Sequence, residues 1–187
     1  MNPKHIINNE MLERAILFAT KEHAGITRKG DGRPYILHPI SVAKRVFDNI
    51  PTKTLLKAVV AVLHDVPEDV YEHDIAEGIA IIREEFGDEV ADLVAELTLD
   101  KAKYKELGKK EYLLLEMNNM TDDAFDVKLC DRLDNVSEME NMDSDWQIYY
   151  AKQTQYVFDN LVRTFTDTHT KMVLKIKAVY EQYLIAA

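Results

Sequence analysis

Leu55-Leu56-Lys57-Ala58-Val59-Val60-Ala61-Val62-Leu63-His64-Asp65-Val66-Pro67-Glu68-Asp69 is the stretch whose reading decides the fold. Leu55 to Leu63 is apolar except for Lys57 and does not alternate with period two. Such a run is far shorter than the ~20 residues a bilayer requires, so it reads as a core helix. That helix is expected from Lys53 to about Asp65, with Thr52 as its N-cap after the break at Pro51. Ala58 to Leu63 should be core. Asp65 lies just beyond it and needs a partner, because an unpaired buried charge is costly. Pro67 disfavours helical geometry at Val66. The helix should therefore stop or kink between His64-Asp65 and Glu68-Asp69, which places the second pair on a turn.

Working outward, helical spacing continues on both sides. Leu12, Ala15, Ile16, Ala19 and His23 share one face, and Gly25 stops that segment. Pro39 can open a second helix that carries Ile40, Ala43, Val46 and Phe47. Asp74 to Phe86 reads as an amphipathic helix ended by Gly87, and Val90, Leu93, Val94 and Leu97 continue after the turn. Further helices are predicted at about 109–119, 122–142, 146–165 and 170–184. Few runs alternate, and Asp31-Gly32 lies in a Gly-rich loop with basic flanks rather than between two strands. The expectation is an all-α fold forming a single domain over 1–187.

The 187 residues carry 23 Lys+Arg against 33 Asp+Glu, a formal charge of −10. That balance argues against DNA or RNA as a partner, since phosphate contacts need a basic face. It leaves room for a local basic pocket and a small anionic ligand. The single cysteine, Cys130, excludes an internal disulfide and a Cys-rich zinc site, and fits a reducing compartment. Met1 to Glu10 has no apolar signal core, and no run is long enough to enter a membrane. The expectation is a soluble, cytoplasmic protein.

Three groups of residues carry chemistry. His64-Asp65 at a helix end can converge on one ion; imidazole with carboxylate suits Mn²⁺, Fe²⁺ or Zn²⁺ better than Ca²⁺. A surface His-Asp pair is the competing reading. Arg28-Lys29-Gly30-Asp31-Gly32, followed by Pro34-Tyr35-Ile36-Leu37-His38-Pro39, is a basic loop running into a His at a helix start. Two cations beside glycines suit a phosphate, though a solvated loop with a packed His38 would read the same way. In Lys128-Leu129-Cys130-Asp131-Arg132-Leu133-Asp134-Asn135, Asp131 and Asn135 share a helix face. Arg132 can alternatively offset Asp131 or Asp134. Cys130 reads as a small buried hydrophobe rather than a nucleophile.

Taken in order and spacing, these three motifs resemble the HD-superfamily alarmone hydrolases. These are the hydrolase half of RelA/SpoT-type proteins and the free-standing small alarmone hydrolases. The resemblance covers roughly residues 12 to 142, leaving about 146–184 as packing helices. It implies an HD helical fold and a metal, usually Mn²⁺, held by His38, His64, Asp65 and Asp131. It places the catalytic acidic pair on Glu68 and Asp69, the base-stacking arginine on Arg28 with Lys29 beside it, and a nucleotide-sugar contact on Asn135. His23 aligns with a family His that is not a ligand and reads as core or as a neighbour of the ligands. The implied activity is a metal-dependent hydrolase removing the 3′-pyrophosphate from guanosine tetra- or pentaphosphate, a small nucleotide substrate. Two other activities remain open here. One is an HD phosphatase acting on another nucleotide or on a nicotinamide dinucleotide phosphate. The other is a non-catalytic nucleotide-binding module.

The chain departs from the family pattern at Pro67, at Val70 where Thr is usual, at an extra loop residue, Asp31, and at Glu138, where Thr is frequent. Glu138 is expected to repel a phosphorylated ligand. Lys101, Lys103, Lys105, Lys109 and Lys110 form the one dense basic stretch, expected either to line the substrate mouth or to make a solvated face.

Overall fold

The computed structural model describes residues 2–185. Among these residues there is no strand; one isolated bridge joins Thr27 and Pro34. The organising element is α3 (Thr54–Leu63), in which every residue from Leu56 to Leu63 is buried. A helix apolar on all sides must be surrounded. Here α1 (Asn9–Glu22), α2 (Leu37–Asn49), α6 (Asp88–Leu97) and α9 (Asp122–Ser137) all pack on it. Each fully buried Val or Leu contributes roughly 1.5–3 kcal/mol of transfer free energy, so this helix nucleates the core. Ala15 and Ala19 give α1 a small-residue buried stripe against it.

Lys57, the interruption in the apolar run, is also buried. Its Nζ lies 2.6 Å from Asp126 Oδ2 and 3.0 Å from Asp123 Oδ1, and His169 Nε2 approaches Asp126 Oδ1 at 3.2 Å. This charged cluster ties α3 to α9 and to α11 (Asp167–Ile185). The predicted Thr52 cap is not formed. Lys53 adopts left-handed φ of 47° at the helix start, and Thr52 Oγ1 accepts a hydrogen bond from Lys57 Nζ at 3.2 Å instead.

The break after Leu63 is short. His64 closes α3, and the chain restarts at once as α4 (Val66–Asp69), a single turn with Pro67 near its start. A proline there forfeits no intrahelical bond, so the helix stops between the two pairs as expected and Pro67 opens the next turn. Asp69 N–H donates to Asp65 carbonyl oxygen at 3.0 Å. Asp65, Glu68 and Asp69 are thereby wound into adjacent positions.

The remaining helices follow the sequence pattern with shifted ends. Asp74 caps α5 (Ile75–Phe86) by accepting from Glu77 N–H, and Gly87 ends it with φ of 91°. α7 (Lys101–Leu107), not predicted, buries no residue; α8 spans Lys109–Asn119. The helix expected over 122–142 ends at Ser137, and a 3-10 turn follows at Met139–Asn141. α10 (Ser144–Asn160) packs on α8 and α11, and α11 packs on α9. No described helix is long and apolar enough to cross a membrane.

Candidate metal centre and nucleotide cavity

Helix ends and the middle of α9 bring the ligand candidates together. His38 stands in the first turn of α2, with Pro39 after it rather than at the helix start. His64 and Asp65 lie between α3 and α4, and Asp131 is in the middle of α9. His38, His64 and Asp65 offer ligand atoms all within 4.8 Å of one another. Asp131 Oδ1 joins them at 3.3 Å from His38 Nε2 and 3.9 Å from His64 Nε2. Asp65 reaches His38 Nε2 at 3.6 Å and His64 Nε2 at 3.1 Å. Atoms bound about 2.1 Å from one ion stand about 3–3.5 Å apart, so the spacing is that of a coordination shell.

The orientation of the imidazoles fits a cation. His64 Nδ1 donates to Ala61 carbonyl oxygen at 2.8 Å and His38 Nδ1 donates to Asp134 Oδ2 at 2.7 Å. Each ring nitrogen that is tied down leaves Nε2 turned to the centre as a lone-pair donor. His64 Nε2 is buried and has no hydrogen-bond partner, an orphan that a metal would satisfy. Two imidazoles and two carboxylates form a donor set for a divalent transition metal. Asp134 is itself fixed by Ser41 and by Arg45 Nε at 2.7 Å. It was legible as part of a motif but not as the support of His38.

The electrostatics follow from this crowding. Burial works to lower the His38 pKa, but the bonds to Asp131 and Asp134 and the charge of Asp65 outweigh it and push it up to about 9. Burial alone would raise Asp65; the His64 and His38 charges hold its carboxyl below the usual range. Asp131 is likewise drawn well down against burial, mainly by Lys128, whose Nζ lies 3.3 Å from Asp131 Oδ2. Lys128 is a charged neighbour to which the sequence reading assigned no role.

Above the cluster opens a cavity of about 580 Å³, within the usual range for small-molecule sites. Arg28, Lys29, Glu68, Asp69 and Asn135 all line it. Asn135 Nδ2 donates to Asp131 Oδ1 at 2.6 Å, so the expected shared face on α9 connects the cavity to the ligand cluster. Glu68 accepts from Leu99 N–H at 2.7 Å. Burial and the neighbouring Asp65 push its carboxyl up to about 7, and the same two causes raise Asp69. His23 is buried; its Nδ1 donates to Ala19 carbonyl oxygen and its Nε2, without a hydrogen-bond partner, lies 3.8 Å from Asp69 Oδ2. Tyr35, another residue with no predicted role, stacks on His23 and donates from its hydroxyl to Asp65 Oδ2 at 2.8 Å.

The basic loop that carries Arg28 is closed by Arg28 N–H to Arg33 carbonyl oxygen at 2.8 Å and turns through positive φ at Gly30 and Gly32. A Cβ at Gly30 would lie 2.8 Å from Met142 Sδ, so glycine allows the loop to press on the turn after α9. Glu138 behaves differently from the expectation of a free repulsive acid. Its carboxylate pairs with Arg28 at 2.8 Å and with Arg33 at 3.0 Å, which neutralises it and holds the Arg28 guanidinium in place. Met139, Met142 and Trp146 supply apolar wall. Of the five lysines expected either at the mouth or on a solvated face, Lys109 lines the cavity, while Lys101 donates to Glu72 carbonyl oxygen and Lys103 pairs with Asp100.

A family model described as HD domain matches residues 15–164. The guanosine-3′,5′-bis(diphosphate) 3′-pyrophosphohydrolase of Aquifex aeolicus is 33% identical over 162 residues, covering 83% of this chain and 21% of that protein. The bifunctional (p)ppGpp synthase/hydrolase SpoT of Escherichia coli K12 is 30% identical over 173 residues, 88% of this chain and 23% of that one. The chain thus spans between a fifth and a quarter of the length of these curated relatives. A solved structure of a metazoan ortholog of SpoT that hydrolyses ppGpp superposes with a TM-score of 0.77 at 24% identity, covering 91% of this chain and 94% of the other, and so shares its fold. With an all-helical core, a His/Asp cluster at the helix ends and a family match over most of its length, the chain belongs to the HD domain family.

Proposed function

We propose that the chain is a metal-dependent hydrolase that removes the 3′-pyrophosphate from guanosine tetra- or pentaphosphate, giving GDP or GTP and pyrophosphate. In this reading Mn²⁺ is the resident metal, with His38, His64, Asp65 and Asp131 as its ligands. When bound there, it supplies Lewis acidity toward a phosphoryl oxygen and lowers the pKa of water. The observation that carries the reading is the juxtaposition of this cluster with a cavity lined by both acids and cations. The names of the relatives support the same substrate class.

The chain's own residues divide the work. Arg28, fixed by Glu138, offers a planar guanidinium to the guanine base, and Trp146 and Met142 exclude water from that side. Lys29 and Lys109 balance phosphate charge. Glu68 takes a proton from the attacking water, and Asp69 orients that water. His23 stands against Asp69, and Tyr35 holds the ligand Asp65 in position. Asn135 meets the sugar while its amide stays anchored to Asp131. Residues 1–187 act as one domain, in which α11 serves for packing and α10 packs on α8 and α11 while bringing Trp146 to the cavity.

Incubating the Mn²⁺-loaded protein with guanosine tetraphosphate tests this. Release of pyrophosphate with GDP supports it; release of orthophosphate would assign a phosphatase, and no turnover a binding module.

A further inference from the structure

A second cavity, of about 500 Å³, lies beside the first and shares Lys109 with it. Its wall is made by the start of α8 and by one face of α10. Four features there are unexplained by the fold. Gln153 is only 5% exposed, yet neither its Oε1 nor its Nε2 has a hydrogen-bond partner. A buried amide without partners costs free energy and points to a group not yet counted. Lys109 and Lys110 occupy the first two positions of α8, where the helix dipole disfavours cations. The helix has Gly108 at its cap and no side chain on its first amides. Finally, Lys152 adds a third cation, and Tyr149 presents its ring to solvent, 53% exposed.

Glu111 is the opposing charge in this wall. Its carboxylate accepts from Tyr156 hydroxyl at 2.8 and 3.0 Å, and Lys110 approaches it at 3.9 Å. Three lysines against one glutamate leave the cavity cationic within a chain of net charge −10.

We propose that this cavity is a second nucleotide-binding site, distinct from the catalytic cavity. It takes the phosphates of a nucleoside diphosphate against Lys110, Lys152 and the open amides of α8. It takes the base against the Tyr149 ring and the Gln153 amide. Free helix amides with adjacent lysines are the chemistry of phosphate capture, and an exposed ring beside an unpaired amide is that of base recognition.

Tyr149 and Lys152 do not line the catalytic cavity, so they isolate the site. Calorimetric titration of the chelator-treated full chain with GDP should show two classes of site. Tyr149→Ala combined with Lys152→Glu should remove one class, and Arg28→Ala the other. Tyr149→Ala alone should weaken its class by roughly tenfold, as loss of a base stack does. Inorganic pyrophosphate should bind there at least roughly tenfold more weakly than GDP, because it lacks the base. The proposal is overturned by a single class abolished by Arg28→Ala, or by a GDP isotherm unchanged in the Tyr149→Ala, Lys152→Glu protein. Pyrophosphate binding as tightly as GDP would also overturn it. Both altered side chains are exposed, and equal thermal unfolding of the variants secures the comparison. No turnover is read, so the result stands apart from the proposed hydrolysis.

Discussion

Replacing Glu68 by Gln should stabilise the metal-free protein, and only above a particular pH. In the folded chain the Glu68 carboxyl is pushed from an ordinary value of 4.5 up to about 7 by burial and by Asp65. Between those two values the native state holds a proton that the unfolded chain has lost, so native stability falls as pH rises through that window. At ~1.4 kcal/mol per pH unit of displacement, ionised Glu68 costs the native state roughly 3 kcal/mol once the pH exceeds 7. Glu68→Gln keeps the shape and leaves an oxygen to accept from Leu99 N–H. The variant should therefore stay within ~1 kcal/mol of the parent at pH 5 and exceed it by up to ~3 kcal/mol at pH 8, a shift on the order of 1 M in the urea midpoint. The same substitution should cost about 10²–10⁴ in turnover, the usual contribution of a general base. Urea unfolding of chelator-treated protein at the two pH values measures the first effect. An equal change at both, or destabilisation at pH 8, would show that Glu68 is an ordinary ionised carboxylate and would remove the basis for its role.

Asp134→Asn leaves the ligand set intact but weakens the acceptor for His38 Nδ1–H; metal affinity by calorimetry should drop about 10–100-fold, and an unchanged affinity would discount that support. Asp126→Ala strands the buried Lys57 with Asp123 as its one remaining carboxylate, so unfolding free energy should fall by about 3 kcal/mol, the lower end for a broken buried pair, with metal binding unaffected. Arg28→Ala should raise KM for guanosine tetraphosphate and leave Mn²⁺ affinity where it was; a lost metal would place Arg28 in a different role.

Much of the fold was legible because a single apolar stretch dominates it. Leu56 to Leu63 had to be surrounded, and the amphipathic segments on either side had to do the surrounding. α8 was read residue for residue, whereas α7 was missed, since Lys101–Leu107 buries nothing and carries no periodic stripe. Pro67 was read as stopping the helix before Glu68-Asp69, and α3 does stop there; that Val66–Asp69 would wind into a helical turn of its own was not legible. The ligand candidates were visible as His and Asp beside apolar runs, and the structure brings their side chains close to one another. Their supports were not visible. Asp134 bonds a residue 96 positions away, and an adjacent Arg132 offered a local partner; that arginine instead lies over the Tyr150 ring at 4.8 Å. Tyr35 and Trp146 join the site through tertiary contacts that no local spacing encodes, whereas Lys128 pairs with Asp131 three residues on along α9, a local spacing that was overlooked. Glu138 was read as repulsive because its two arginine partners lie 105 and 110 residues away.

Manganese titration followed by electron paramagnetic resonance tests the centre most directly. The account predicts one tightly held Mn²⁺ per parent chain, lost in both His64→Ala and Asp131→Ala while circular dichroism shows each variant folded. Full manganese occupancy in either variant would contradict a cation shared by these four side chains.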